Sequence, residues 1–306
     1  MRDGASLFVT GGRGFIGRHL LRAIDPNKYT KIYCLSRVAP DTADLAKLRN
    51  LQWIRASLDE PDSYDRFLAS SDAVIHLAAT TGKARPEEYF QVNLNGTRLL
   101  TEQCRRLGVT KFVFVSSIAA KFLNKSQYYY AQSKQKAEEL VSESGLNYAI
   151  VRPTIVLGKE SSIWQRLSQF AKGPFIVLFG EGSTKVQPVF VNDLVGVMLS
   201  LVNEEKFSNE IFEVGGPDVI TLEDFLKRIN FYYRQKNATV IRVPLKPLVR
   251  AVSIIEKYAF PLLPFNAGQL AAFANDGTAE PNDWVQRARP RMKNLDAMLT
   301  LLTDER

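Results

Sequence analysis

Short, dense apolar runs and longer segments with apolar residues at helical spacing alternate through the first half of the chain. Residues 6–9, 31–36, 52–55, 73–76, 111–116 and 147–152 are compact and rich in β-branched and aromatic side chains, which predicts strands. Segments 61–69, 87–107 and 131–144 repeat their apolar positions every three to four residues, which predicts helices between those strands. Such alternation predicts an α/β fold with a doubly wound parallel sheet, because each parallel neighbour needs a crossover that returns over a sheet face. Ligands in such sheets gather at the carboxyl ends of the strands.

After Pro153 the rhythm loosens. Residues 162–172 read as a helix, 186–190 as a strand, 193–202 as a helix capped by Asp193 and 211–214 as a strand, with 222–235 as part of a smaller lobe. Gly173-Pro174, Gly180 with Gly182, and Gly215-Gly216-Pro217 mark turns. Segment 244–263 sets Leu245, Leu248, Val249, Val252, Ile255 and Leu262 among Lys246, Arg250 and Lys257. Ordinary amphipathicity favours a helix with its apolar stripe turned inward; peripheral contact with an anionic membrane is the disfavoured alternative. Residues 294–306 read as a last helix that frays.

The chain has 306 residues, of which 45% are hydrophobic and 24% charged, values of a soluble globular protein with a sizeable core. Cys34 and Cys104 are its only cysteines and His19 and His76 its only histidines, too few and too scattered for a disulfide framework or a zinc site, so no metal is expected. No apolar run reaches the roughly 18 residues of a spanning helix, and no charged-then-apolar leader opens the chain, so a cytoplasmic location is expected. The net charge of +8 is spread along the chain, without the aromatic interleaving of a nucleic-acid groove. It fits phosphate-bearing small molecules instead.

Two stretches carry chemistry. The first strand runs into Thr10, Gly11, Gly14 and Gly17, followed by the helical pattern of Phe15, Ile16, Leu20 and Leu21. A helix start offers unpaired N–H groups and partial positive charge, and glycines let a diphosphate approach the backbone. Gly11 suits the turn, Gly14 the approach, and Gly17 close packing of helix on strand. The second stretch is Ser116-Ser117 at the end of the strand at 111–116, then Tyr130 and Lys134 four apart on one helix face. A neighbouring ammonium would lower the pKa of a phenol from its usual ~10, making Tyr130 a usable acid or base. Ser117 would polarise the oxygen of an alcohol or carbonyl.

The glycine spacing, Ser117, and Tyr130 with Lys134 in a Y-x-x-x-K pattern resemble the short-chain dehydrogenase/reductase superfamily over essentially the first 200 residues. Further stretches resemble its extended or atypical branch, which includes NAD-dependent epimerases and dehydratases. They are Val74 to Ala79, Val92 to Thr97, and Val151 to Gly158. The resemblance implies a Rossmann fold, with residues 1–158 as a dinucleotide-binding domain, 189–220 returning to it, and 159–188 with 221–306 as a smaller substrate lobe. It implies Tyr130 as acid/base, Lys134 as the residue that lowers its pKa and holds the nicotinamide ribose, and Ser117 as the polarising group. Asn93 would support the lysine, while His76 reads as a structural loop residue. The cofactor would contact Thr10, Gly11, Arg13, Gly14, Phe15, Ile16, Gly17, Leu77, Ala78, Ala79, Lys134 and Pro153. Homodimerisation through the helices at 87–107 and 131–144 is a further implication.

After the second strand the chain has Ser36-Arg37 and no carboxylate to repel a 2′-phosphate, so NADP(H) is favoured over NAD(H), with Arg37 and Arg13 as attracting charges. Ser57 stands where relatives commonly place an aspartate toward the adenine. Val186 stands where relatives that grip a nucleoside diphosphate often place an arginine, and Lys185 is the remaining cation there. A sugar nucleotide is the substrate class the resemblance implies, with hydride exchanged at a secondary alcohol or ketone. The rival expectation is a cofactor-binding protein without turnover, an assembly or redox-sensing factor related to a respiratory complex I accessory subunit.

Overall fold

The computed structural model describes residues 4–38, 45–109, 111–204, 209–236, 238–263 and 265–304. Six strands, β1 (Ala5–Thr10), β2 (Tyr29–Ser36), β3 (Leu51–Arg55), β4 (Ala73–His76), β5 (Lys111–Val115) and β6 (Tyr148–Pro153), form one parallel sheet in the order β3-β2-β1-β4-β5-β6. The strand Glu210–Val214 adds to the far edge beside β6. Alternate residues feed opposite faces, as the period of a strand requires. Leu7, Val9, Ile75 and Val113 pack with Leu20, Leu21, Leu194 and Met198 on one face. Phe8, Val74, Phe112 and Phe114 pack with Leu100, Cys104 and Val141 on the other. Burial on both faces explains why β4 and β5 carry apolar runs without polar alternation, Ala73 to Ile75 and Phe112 to Val115.

The strand order reverses between β1 and β4, which pair side by side through Thr10 and His76. Chains leaving these two strands diverge to opposite sides and open a crevice at their carboxyl ends. The helix Phe15–Ala23 starts at that crevice.

A second cluster lies beyond β6. Leu157, Trp164, Leu178, Phe225, Ile229 and Met298 are buried together, with strands Phe175–Phe179 and Thr239–Val243 paired in parallel. The helix Leu245–Ala259 turns Leu245, Leu248, Val249 and Val252 inward, as its amphipathic pattern predicts, but leaves Ile254, Ile255 and Tyr258 exposed.

The structure corrects several expectations. The strand expected over 186–190 is two short pairings, Lys185–Val186 with Ile220–Thr221 and Val189–Phe190 with Val156–Leu157. Pro188 lacks the N–H that would carry a ladder through. The buried Gln187 uses the break, donating to Gly216 O at 2.6 Å and accepting from Ala279 N at 2.8 Å. The helix expected over 87–107 begins at Pro86 and passes through a π-helical segment, Phe90–Asn95, before Gly96–Leu107. Asp193 is not the cap of the helix Val191–Asn203: Phe190 holds that position, and Asp193 accepts from Lys293 N at 2.8 Å, tying the C-terminal segment to the sheet domain. The last helix is Leu295–Thr303 with Asn294 as its cap, and positions 305 and 306 of the expected helix lie outside the described residues.

Candidate active site

The glycine turn is built by contact. Gly11 has φ +73°, and a Cβ there would stand 2.6 Å from Ala78 N. A Cβ on Gly17 would stand 2.3 Å from Gly11 O, so the helix can lie this close to β1 only without a side chain. Gly14 is the N-cap of the helix Phe15–Ala23 and supplies no side-chain cap, which leaves the first-turn N–H groups to an outside acceptor. Thr10 is buried; its hydroxyl meets His76 Nδ1 at 2.6 Å and accepts from Ala78 N at 3.1 Å, fixing the loop after β4 against the turn.

A cleft of about 380 Å³ opens above this turn. Thr10, Gly11, Arg13, Gly14, Arg37, Leu77, Ala78 and Ala79 all line it, as do Ser36, Ser57 and Asp59. Phe15 and Ile16 do not line it: their side chains pack toward the core, Phe15 against Gly158. Only their backbone faces a ligand at the helix start. Pro153 ends β6, and its neighbour Thr154 lines a second cavity. Asp59 escaped the sequence reading. It lies just past β3, beside β2, so its signal was its position at a strand's carboxyl end. Its carboxyl is held below the usual range, first by a hydrogen bond from Ser57 and more weakly by the charge of Arg37.

The turn with no blocking Cβ, the uncapped helix start and the two flanking arginines fit a dinucleotide. Ser116 adds an independent sign. Its buried hydroxyl, just past the end of β5, has no hydrogen-bond partner among the described residues.

The second motif sits on the helix Tyr129–Glu143. Ser117 Oγ accepts from Ala119 N at 3.2 Å as the cap of a short 3₁₀ turn, and its side chain also hydrogen-bonds Tyr130. Tyr89 and Tyr128 flank the Tyr130 ring at 6.0 and 5.7 Å. Lys134 is buried, donates to Val115 O at 2.7 Å and lies 4.3 Å from the centre of the Phe114 ring.

The electrostatics differ from the expectation. Burial pushes the Tyr130 hydroxyl up to about 12, with the Ser117 hydrogen bond pulling the other way and Tyr89 adding to the rise. Burial also lowers the Lys134 ammonium to about 7, against a smaller opposing pull from Glu138. The phenol is therefore a protonated acid at neutral pH. Lys134 does not act on it as a full neighbouring charge.

Asn93 is buried in the π-helical segment. It accepts from Thr80 N at 2.7 Å and donates to Thr80 O at 3.1 Å and Ser133 Oγ at 2.9 Å. It thus pins the cleft loop to the helix that carries Tyr130, and its bonds go to Ser133, beside Lys134, rather than to the lysine itself. His76 ends β4 and is not a loop residue. It is buried, bridges Thr10 and Thr97, and is driven down to about 3, chiefly by burial and then by Lys134, so it serves as a neutral brace. Lys83 was also missed. Its ammonium reaches the carbonyls of Phe260, Pro261 and Leu263, joining the cleft loop to the end of the lobe helix.

Among the described residues, no group of three His, Cys, Asp or Glu is placed to hold a metal, and no helix is long and apolar enough to cross a membrane.

Known proteins share this architecture. A subunit named NADH dehydrogenase [ubiquinone] 1 alpha subcomplex subunit 9, mitochondrial, from Dictyostelium discoideum, is 26% identical over 227 residues, covering 72% of this chain and 62% of that protein. A ceramide reductase from Caulobacter vibrioides is 29% identical over 195 residues, covering 63% of this chain and 59% of its own length. The chain thus spans about three fifths of the length of these two relatives. Among solved structures, UDP-glucuronic acid 4-epimerase from Bacillus cereus in complex with NAD superposes with a TM-score of 0.66 at 22% identity, covering 78% of this chain and 87% of that one. Residues 7–215 match the profile of the NAD dependent epimerase/dehydratase family, which spans the glycine turn, Ser117, Tyr130 and Lys134; the chain belongs to that family.

Proposed function

We propose that this protein is an NAD(P)-dependent oxidoreductase that reduces a ketone to a secondary alcohol, or exchanges hydride at such a carbon, with Tyr130 as the proton donor. The observation that carries this reading is the Tyr130 hydroxyl, hydrogen-bonded by Ser117 and held protonated, about one helix turn from the buried Lys134, in a fold with a glycine-lined cleft at the end of β1. When bound, the nicotinamide supplies or accepts the hydride.

The residues of the chain do the remaining work. Gly11, Gly14 and the backbone of Phe15 and Ile16 would receive the diphosphate, and Leu77, Ala78 and Ala79 would bear on the ribose and ring beyond it. Lys134 would hold ribose hydroxyls near the phenol. Ser117 orients the substrate oxygen, and Tyr130 gives that oxygen the proton it needs as the carbonyl becomes an alcohol. A phenol held protonated at neutral pH is ready to donate to a developing alkoxide, which suits the reductive direction. Arg37 and Arg13 support NADP(H) over NAD(H), although the Asp59 carboxylate across from Arg37 moderates that preference. The substrates in the names of similar proteins, a UDP-sugar and a ceramide, set the range to assay.

Tyr130→Phe keeps the ring and removes the proton. Turnover should fall by roughly 10²–10⁴-fold, while fluorescence titration gives unchanged affinity for NADPH and NADH, NADPH being the tighter ligand. Turnover that survives the substitution would remove Tyr130 from the chemistry.

A second reading has an observation of its own. On the helix Leu245–Ala259 and the turn after it, Ile254, Tyr258 and Leu262 are 60%, 87% and 86% exposed, among the cations Arg250 and Lys257. That face, together with the similarity to a complex I subunit, supports a nucleotide-binding component that docks to a membrane or assembly without turnover.

A further inference from the structure

Beyond Ser117 a second cavity, about 280 Å³, runs between the exit of β6 and the lobe. Its walls are apolar. Phe122 comes from the segment after Ser117, Leu167 and Phe170 from the helix Ser162–Ala171, Phe179 from a lobe strand, and Phe265 and Phe273 from the C-terminal part. Phe179 is the hub of an aromatic wall, with ring centres 6.1 Å from Phe170, 5.8 Å from Phe265 and 6.1 Å from Phe273.

Some of the polar groups that line this cavity, which also include Ser117, Tyr128 and Thr184, are engaged elsewhere. Thr154 donates to Gln187 O, Gln269 accepts from Asn266 N at 3.0 Å, and Asn275 donates to Asn124 O at 3.2 Å. Among the described lining residues, Arg166 is the one charged side chain, and it is exposed. A nucleoside diphosphate placed here would find one cation, the exposed Arg166, and few donors to replace the hydration of its phosphates and base, and burying incompletely paired charge is unfavourable. An apolar body gains by leaving water at the same place.

We infer that the substrate is lipid-like: an apolar body that fills the aromatic-walled cavity and presents its ketone or secondary alcohol to Ser117 and Tyr130. The inference rests on the proposed reaction only for which end of the molecule reacts; the choice of an apolar body over a sugar nucleotide rests on the lining alone. Phe170 sits at the rim, 40% exposed, so a charge introduced there reaches the cavity without disturbing the buried core.

The test is binding to the full-length protein, read by the fluorescence of cis-parinaric acid and its displacement. Wild type and Tyr130→Phe should bind the probe alike. Unbranched methyl ketones should displace it, with affinity rising up to about fourfold per added methylene until the cavity is full, whereas UDP-glucose and UDP-glucuronic acid should not. Phe170→Glu should weaken probe binding by at least about tenfold, with an unchanged circular dichroism spectrum and melting temperature as the check on folding. Displacement by the UDP-sugars, no binding of the probe, or full binding by a folded Phe170→Glu variant would each overturn the inference. If the probe binds as expected but Tyr130→Phe still turns over substrate, the proposed reaction fails and the lipid-like pocket stands.

Discussion

Lys134 shows how one residue can be set against the fold that holds it. Its side chain is buried against Phe114 with a single hydrogen-bond acceptor, Val115 O, and burial lowers its pKa from 10.5 to about 7. Because the folded value is the depressed one, the residue opposes folding most at and below pH 7, where the buried ammonium is charged. That opposition fades as pH rises from 7 through 10.5, where the unfolded chain also loses its proton. Stability curves of wild type and Lys134→Met should therefore differ most at or below neutral pH, the variant being more stable there by up to a few kcal/mol (order of magnitude,), and should converge toward pH 10. Parallel curves across that range would mean the ammonium is well solvated. The residue pattern of Tyr130 and Lys134 was legible because four positions are one helix turn. The reversal of their expected electrostatics was not, since burial depends on Tyr89 and Phe114, brought there from other elements.

At the scale of elements, contacts across the fold decide which glycines matter. Gly17 meets Gly11 O, whereas Gly196, midway along the helix Val191–Asn203, has open space where a Cβ would be. Gly17→Ala should lower stability by about 1–3 kcal/mol and weaken nucleotide binding, while Gly196→Ala should raise stability by up to about 1 kcal/mol; calorimetry with nucleotide titration reads both. Equal effects at the two positions would contradict the contact geometry. The six strands of the sheet were legible because each is a dense apolar run, and the glycine turn because its spacing is local. The strand Phe175–Phe179 is as dense an apolar run, but it lies outside the alternating first half of the chain, and its partner Thr239–Val243 is about 60 residues further along. The π-helical step at Phe90–Asn95 left no sign in the apolar pattern, yet it sets the register that lets Asn93 reach both Thr80 and Ser133. Asp59 was hidden for a related reason: it lines the cleft only because β3 lies beside β2.

In the whole molecule, the cleft over the glycine turn and the apolar cavity are distinct spaces, and Ser117, hydrogen-bonded to Tyr130, lines the second. Lys83 fastens the cleft loop to the lobe helix, and Gln187 spans the break between lobe and sheet. The lobe helix leaves its outer apolar residues in water. Flotation with anionic vesicles separates the two readings at this scale. A soluble reductase should stay in the dense fraction, and a docking subunit should rise with the vesicles and lose that behaviour in Tyr258→Glu. The central claim is that a dinucleotide lying on the glycine turn brings its reactive ring to the phenol of Tyr130. A crystal structure of the protein with NADPH tests it most directly. The account predicts the diphosphate at the start of the helix Phe15–Ala23, and the nicotinamide beside Tyr130 and Ser117 with room for a carbonyl carbon about 3–3.5 Å from the ring. A diphosphate bound elsewhere, or a ring turned away from Tyr130, would contradict it.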